Sequence, residues 1–336
     1  MRRLKEFNGV FIQMEDEIGS ISAMIGASWA GARAMTATSG PGFSLMMEGI
    51  GCAAMTETPL VVVDVQRAGP STGQATRPGS GDTMQVKFGS HGDYEIIALA
   101  PWSPQEMFDL TLAAFNLSET YRVPAFVMAD EVVGHLRELV DIPKTVERRS
   151  RPTNPGAPPF DTDDPDGVPP MPAFGQGERL LVTPSTHDGF GFRKTQDSRT
   201  HERLVTRLSD KIRSAADDIV QYQTIMTGDA DVLLVSYGFA ARAAWEAALE
   251  LRRGGIKAGL FRLISLWPFP EKALLQAAER ARIVLVSEMN LGQMSREVER
   301  VLHRPVVAIP QVDGEAMRVE TILDGVRKEE MEKGRK

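Results

Sequence analysis

The chain has 336 residues, a formal net charge of −7, a single cysteine and five histidines. Its length accommodates two domains with separate cores, and the acidic balance argues against a nucleic-acid partner, which needs a basic face to displace phosphate counterions. No apolar run approaches the roughly 20 residues that span a bilayer, and Met1-Arg-Arg-Leu-Lys-Glu-Phe lacks the apolar centre of a signal peptide. A cytoplasmic chain without membrane contact is expected. Cys52 can form no internal disulfide and no four-thiolate cluster site, and it sits in an apolar helix as a small buried hydrophobe. The histidines show no metal-ligand spacing, so no metal site is assigned.

In chain order, apolar runs predict strands near 10–14, 33–38, 60–66, 94–100 and 124–129, with helices near 17–31, 43–57 and 104–121. The third helix has a legible start, with Ser103 as N-cap, Pro104 at the first helical position and Glu106 at capping-box spacing. Alternating strands and helices predict an α/β fold with a mostly parallel sheet covered on both faces. Residues 139 to about 176 break the pattern, with eight prolines between Arg151 and Pro172 and the acidic run Asp161 to Gly167, and predict a linker or extended wrap. A second open α/β unit follows, with strands at 231–238, 257–264, 282–287 and 305–309 and helices at 240–253, 271–280 and 293–302. The resulting division is 1–138, 139–200 and 201–330. Ser236-Tyr-Gly-Phe-Ala lacks the Gly-x-Gly-x-x-Gly spacing, so NAD is not favoured.

Three features carry chemistry. The strand ending in Thr38 runs into Ser39-Gly40-Pro41-Gly42, which presents backbone N–H groups at a strand's C-terminal edge, where open α/β sheets bind ligands; an ordinary tight turn is the alternative. Glu15-Asp16-Glu17 precedes a helix, where carboxylates also serve simply as caps. Arg67 ends a strand at the mouth of the sheet, where it is either a solvated surface cation or a bidentate clamp for a carboxylate.

The runs Phe11 to Gly19, Ala34 to Met46, Gln66-Arg67-Ala-Gly-Pro-Ser-Thr-Gly73 and Gly89-Ser-His-Gly-Asp93, with Thr186-His-Asp-Gly189 beyond them, resemble the alpha subunit of 2-oxoacid:ferredoxin oxidoreductases, most closely the 2-oxoglutarate type. The resemblance implies a thiamine-diphosphate pyrimidine-binding domain, then a transketolase C-terminal-like domain that serves mainly as scaffold. It places Glu17 against the aminopyrimidine ring as the leading catalytic residue, assisted in cofactor binding by Thr38, Ser39 and Gly40. It makes Arg67 the clamp for the 2-oxoacid, with Arg77, Lys87 and His91 in the following loop as cations for a second, distal carboxylate; His91 is also a catalytic candidate.

The Gly-Asp-Gly motif that holds the diphosphate metal in thiamine enzymes is missing, since neither Gly81-Asp-Thr nor Gly228-Asp-Ala fits it. The resemblance therefore implies a composite site, with a beta subunit supplying diphosphate contacts, magnesium and an iron–sulfur cluster, and with gamma and delta subunits and ferredoxin as further partners. The implied reaction is coenzyme-A-dependent oxidative decarboxylation of 2-oxoglutarate to succinyl-CoA. Pyruvate or a branched-chain 2-oxoacid is the alternative substrate, and a silent scaffold subunit the alternative role. The family begins with a further βα segment containing Tyr-Pro-Ile-Thr-Pro, and this sequence starts after it; an upstream start, a truncation or an incomplete site are the readings of that departure.

Overall fold

A computed structural model of the chain describes residues 3–333, and its strands form two sheets. In chain order they are β1 (Met35–Thr38), β2 (Leu60–Ala68), β3 (Gln74–Pro78), β4 (Ile97–Leu99), β5 (Pro124–Asp130), β6 (Tyr222–Ile225), β7 (Val232–Ser236), β8 (Ala258–Leu263), β9 (Ser265–Trp267), β10 (Ile283–Glu288) and β11 (Val307–Pro310). The first sheet runs β1-β2-β5-β4-β9, with β3 folded back on β2, and the second runs β11-β10-β7-β8-β6. Pairings along β1-β2-β5-β4 and along β11-β10-β7-β8 are parallel; only β3, β6 and β9 join antiparallel. This is the mostly parallel two-sheet α/β architecture that strand–helix alternation predicts. Every residue of β5 is buried, as a central parallel strand covered on both faces requires.

The helix Pro104–Tyr121 forms where its caps predict. Ser103 Oγ accepts from Glu106 N at 3.2 Å, and the Glu106 carboxylate accepts from Trp102 N at 3.1 Å. Two expectations are corrected. The run 10–14 forms no strand and makes no sheet hydrogen bonds; Val10 and Ile12 are 78% and 65% exposed. A short apolar run suits a strand, but a strand also needs a neighbour for its N–H and C=O groups, and this run has none among the described residues. The expected helix 43–57 is two helices, Pro41–Leu45 and Met47–Met55, broken at Met46.

Between His135 and Ser198 there is no helix or strand, so the proline-dense stretch is a wrap. Its carbonyls find a donor in the core. The buried Arg122 guanidinium donates to the carbonyls of Pro159 at 2.6 Å, Pro170 at 2.9 Å and Pro169 at 3.1 Å, and to Glu57 O at 3.2 Å. Glu57, fully buried, pairs with Arg207 at 2.6 Å and Lys211 at 2.7 Å on the helix Ser198–Arg213. That helix crosses residue 200, and its Ile212 packs in the core beneath β2 and β5. The two sheets also share a core: Phe43, Ile50, Val62 and Phe126 cluster with Val235, Phe261 and Trp267. The second unit is thus packed directly against the first.

Candidate active site at the C-terminal edge of the first sheet

The helix Glu17–Trp29 is capped by Asp16, whose carboxylate accepts from Gly19 N at 2.6 Å. Capping is therefore the work of Asp16, which leaves the half-buried Glu17 carboxylate available. It points at the turn after β1. A Cβ built on Gly42 would lie 2.5 Å from Glu17 Oε1 and 2.3 Å from Thr38 Oγ1, so the two side chains share a recess that only a glycine leaves open. Gly40 begins that turn with φ +53°, and Gly42 N donates to Ser39 O at 3.3 Å.

Arg67 lies across the same turn. A Cβ on Gly40 would meet Arg67 Nε at 3.1 Å and Cγ at 3.4 Å, so the arginine stem rests on the glycine. The structure thereby gathers Glu17, Thr38, Ser39, Gly40 and Arg67 at one strand edge, as parallel register sets Thr38 beside Asp64 three residues before Arg67.

The remaining cations do not join this group as one free basic cluster, which corrects that expectation. Arg77 follows the chain on β3, where Pro78 pairs with Arg67, but its guanidinium bonds to Glu315 of the second unit at 2.8 Å. Lys87 is buried, pairing with Glu95 at 2.5 Å and donating to Tyr94 O. Burial lowers the Lys87 ammonium below its ordinary range despite the Glu95 partner. His91 is exposed and lines a cavity of about 460 Å³ with Cys52, Asp93, Tyr94, Thr186 and His201. For Arg77 and Lys87 an acid or carbonyl elsewhere in the chain decides the environment, which is a tertiary matter.

Sequence reading missed two acids and a set of second-unit polar residues. Asp64 lies in the middle of Val61-Val-Val-Asp-Val, fully buried, and Asp82 faces it from the following loop. A charged residue within an otherwise apolar strand was the available signal. The loop is held from both sides. Gln66 Oε1 accepts from Asp82 N at 3.0 Å, Asn290 Nδ2 donates to Ser80 O at 2.7 Å, and Gln293 Oε1 accepts from Thr83 Oγ1 at 2.7 Å and from Met84 N at 3.1 Å. Tyr237 adds bonds to Glu288 at 2.9 Å and Ser80 at 3.3 Å. The second unit therefore positions a loop of the site as well as serving as scaffold.

Residues 2–207 match a protein-family model described as "Pyruvate flavodoxin/ferredoxin oxidoreductase, thiamine diP-bdg", and residues 230–322 match "Pyruvate:ferredoxin oxidoreductase core domain II". The chain belongs to the 2-oxoacid:ferredoxin oxidoreductase family. Among relatives in this family, the 2-oxoglutarate synthase subunit KorA of Methanothermobacter thermautotrophicus is 52% identical over 327 residues, covering 95% of this chain and 86% of that protein. KorA of Methanocaldococcus jannaschii is 49% identical over 326 residues, covering 96% and 87%. The solved 2-oxoglutarate:ferredoxin oxidoreductase of Magnetococcus marinus, with 2-oxoglutarate, coenzyme A and succinyl-CoA bound, superposes with a TM-score of 0.91 at 30% identity; the match covers 98% of this chain and 58% of that one. Among the described residues no helix is long and apolar enough to cross a membrane, and no group of His, Cys, Asp and Glu could hold a metal ion.

Proposed function

We propose that this chain is the alpha subunit of a 2-oxoglutarate:ferredoxin oxidoreductase, supplying the pyrimidine side of a shared active site for coenzyme-A-dependent conversion of 2-oxoglutarate to succinyl-CoA. One observation carries the reading. The Glu17 carboxylate, relieved of capping by Asp16, stands in a recess shared with Thr38 and kept open by Gly42. A half-buried carboxylate beside a glycine turn fits a flat heterocycle with a protonatable ring nitrogen, so the residues suit thiamine diphosphate.

That cofactor, when bound, supplies the nucleophilic carbon and the electron sink that decarboxylation of a 2-oxoacid requires. Glu17 would meet a protonatable nitrogen of the ring with its carboxyl group, the general acid–base role in generating the nucleophile. Thr38, Ser39 and Gly40 would offer the ring the Thr38 hydroxyl and the backbone of the glycine turn. Arg67 orients the 1-carboxylate of the oxoacid by two parallel hydrogen bonds. The distal carboxylate is met from the loop that carries Arg77, Lys87 and His91; of these, His91 has the exposed ring, while Arg77 and Lys87 already have acidic partners.

In this reading a beta subunit holds the diphosphate, magnesium and an iron–sulfur cluster, consistent with the lone Cys52, and ferredoxin takes the electrons in the cytoplasm. Gamma and delta subunits complete the assembly where they are separate chains. The test is Glu17→Gln in the assembled complex. Folding should be unaffected and turnover should fall by about 10²–10⁴, the usual worth of general acid–base assistance. Near-normal turnover would refute the assignment, and a higher kcat/KM for pyruvate or a branched-chain oxoacid than for 2-oxoglutarate would transfer it to that substrate.

A further inference from the structure

Beneath the Gly40 turn lie two acids that the reading above leaves unused, the buried Asp64 and the half-buried Asp82, beside the Arg67 clamp. Neither carboxyl oxygen of Asp64 completes a hydrogen bond, although the Gly40 amide and the Asp82 carboxyl are both within range. Asp82 Oδ2 and Arg67 Nε are likewise buried without a completed hydrogen bond. Native interiors rarely leave such groups unanswered, and here three of them converge. They also close a ring. The Gly40 amide faces Asp64, Asp64 faces Asp82, the Arg67 charge acts on Asp82, and the Arg67 stem rests on Gly40.

Two carboxyl groups in contact, one of them fully buried, do not both ionise at neutral pH, so the pair keeps one proton. The surroundings decide where it sits. Burial and then the Asp82 charge push Asp64 well above the usual carboxylate range. Burial also raises Asp82, but a hydrogen bond from Asp64 and the Arg67 guanidinium both draw it back. The neighbouring strand adds no free charge at this level. Asp130 stands beside Gln66, and its carboxylate is taken by the amides of Val133 at 2.9 Å and Phe239 at 2.8 Å. From the second unit, Glu288 is engaged by Tyr237 and by the amides of Met294 and Ser295.

We propose that Asp64 remains a neutral acid that keeps its proton and donates a hydrogen bond through it to Asp82, and that the single carboxylate left on Asp82 is the counter-ion that positions Arg67 for the oxoacid. The inference rests on the reading of Arg67 as the carboxylate clamp. Both acids are positioning residues. Asp64 accepts from the Gly40 amide with one oxygen and donates from the other, tying the cofactor turn to the substrate clamp. Asp82 balances Arg67 while its loop is fastened to the second unit by Asn290 and Gln293.

The experiment compares Asp64→Asn, Asp64→Leu, Asp82→Asn and Arg67→Ala in the assembled complex. Asp64→Asn keeps one donor and one acceptor, so kcat/KM for 2-oxoglutarate should stay within about threefold of wild type. Asp82→Asn should raise KM by about tenfold or more with a smaller change in kcat, and Asp64→Leu should reproduce that pattern. Infrared difference spectra at neutral pH should show a protonated-carboxyl band that Asp64→Asn removes and Asp82→Asn retains. Asp64→Asn proving as damaging as Asp64→Leu, an unchanged KM in Asp82→Asn, or a band that survives Asp64→Asn overturns the proposal. Should Asp64→Leu or Asp82→Asn fail to fold, the wild-type and Asp64→Asn spectra decide it alone. An unchanged KM in Arg67→Ala sinks the clamp reading instead, whatever the spectra show about the acid pair.

Discussion

Glu17 Oε1 occupies the space that a side chain at residue 42 would need, 2.5 Å from where a Cβ on Gly42 would stand. Thr38 Oγ1 stands closer still, 2.3 Å from the same point, so a methyl here displaces the free end of Glu17 and turns the Thr38 hydroxyl aside, side-chain movements that harm the site more than the fold. Gly42→Ala should leave the unfolding midpoint nearly unchanged while turnover of the complex falls by about 10²-fold, the scale expected when a catalytic group is misplaced by an ångström. Denaturation and steady-state kinetics on the same preparation check it. Equal loss of stability and activity would instead make Gly42 a packing residue.

The Glu57 cluster fastens the helix Ser198–Arg213 to the first sheet. Burial alone would raise the Glu57 carboxyl, but Lys211, Arg207 and Arg122 outweigh it and hold it well below the usual carboxylate range. Glu57→Gln strands buried cations and should cost about 3–5 kcal/mol in urea unfolding. The sign with pH follows from the depressed folded-state pKa. The contribution of Glu57 is fully present above the unfolded value of about 4.3 and is lost as pH falls below it, so wild type and variant should converge in stability on acidification.

Asn290 is buried, and its amide joins Ser80 O at 2.7 Å, Tyr237 Oη at 2.8 Å and Gln293 N at 2.8 Å. Asn290→Ala leaves several of these groups without partners, at roughly 1–3 kcal/mol for each that stays unsatisfied. Faster amide exchange across residues 80–84, with a lower kcat/KM, is the expected result. Slower turnover with unchanged exchange would argue against loop positioning.

Substrate choice separates the three loop cations. The Arg77–Glu315 pair is half-exposed, so Arg77→Ala should change stability by no more than about 1 kcal/mol. Lys87→Ala removes a buried partner from Glu95, which keeps Arg213 at 2.9 Å, and should act mainly on stability. His91→Ala should lower kcat/KM for 2-oxoglutarate about tenfold more than for 2-oxobutyrate, which lacks the distal acid. Parallel loss on both substrates would remove His91 from recognition of that group.

What the sequence alone determined is local. Ser103, Pro104 and Glu106 specify a helix start among themselves, and the uniformly apolar runs of β5 and β7 specify buried strands, because these signals are complete within a few residues. The motifs around Glu17, Gly40 and Arg67 were likewise legible, since each is a short run at the end of one element. Val10 to Met14 read as a strand for the same local reason and failed, because hydrogen bonding to a neighbouring strand is not encoded in the run itself. Only the tertiary structure assigned Arg77 to Glu315, 238 residues away, and Lys211 to Glu57, 154 residues away. Only it gave the helix cap to Asp16 and left the Glu17 carboxylate free of it, and set Asp82 against Asp64. The ionisation and availability of a charged group depend on what shares its low-dielectric surroundings, and the packing of the folded chain decides that company.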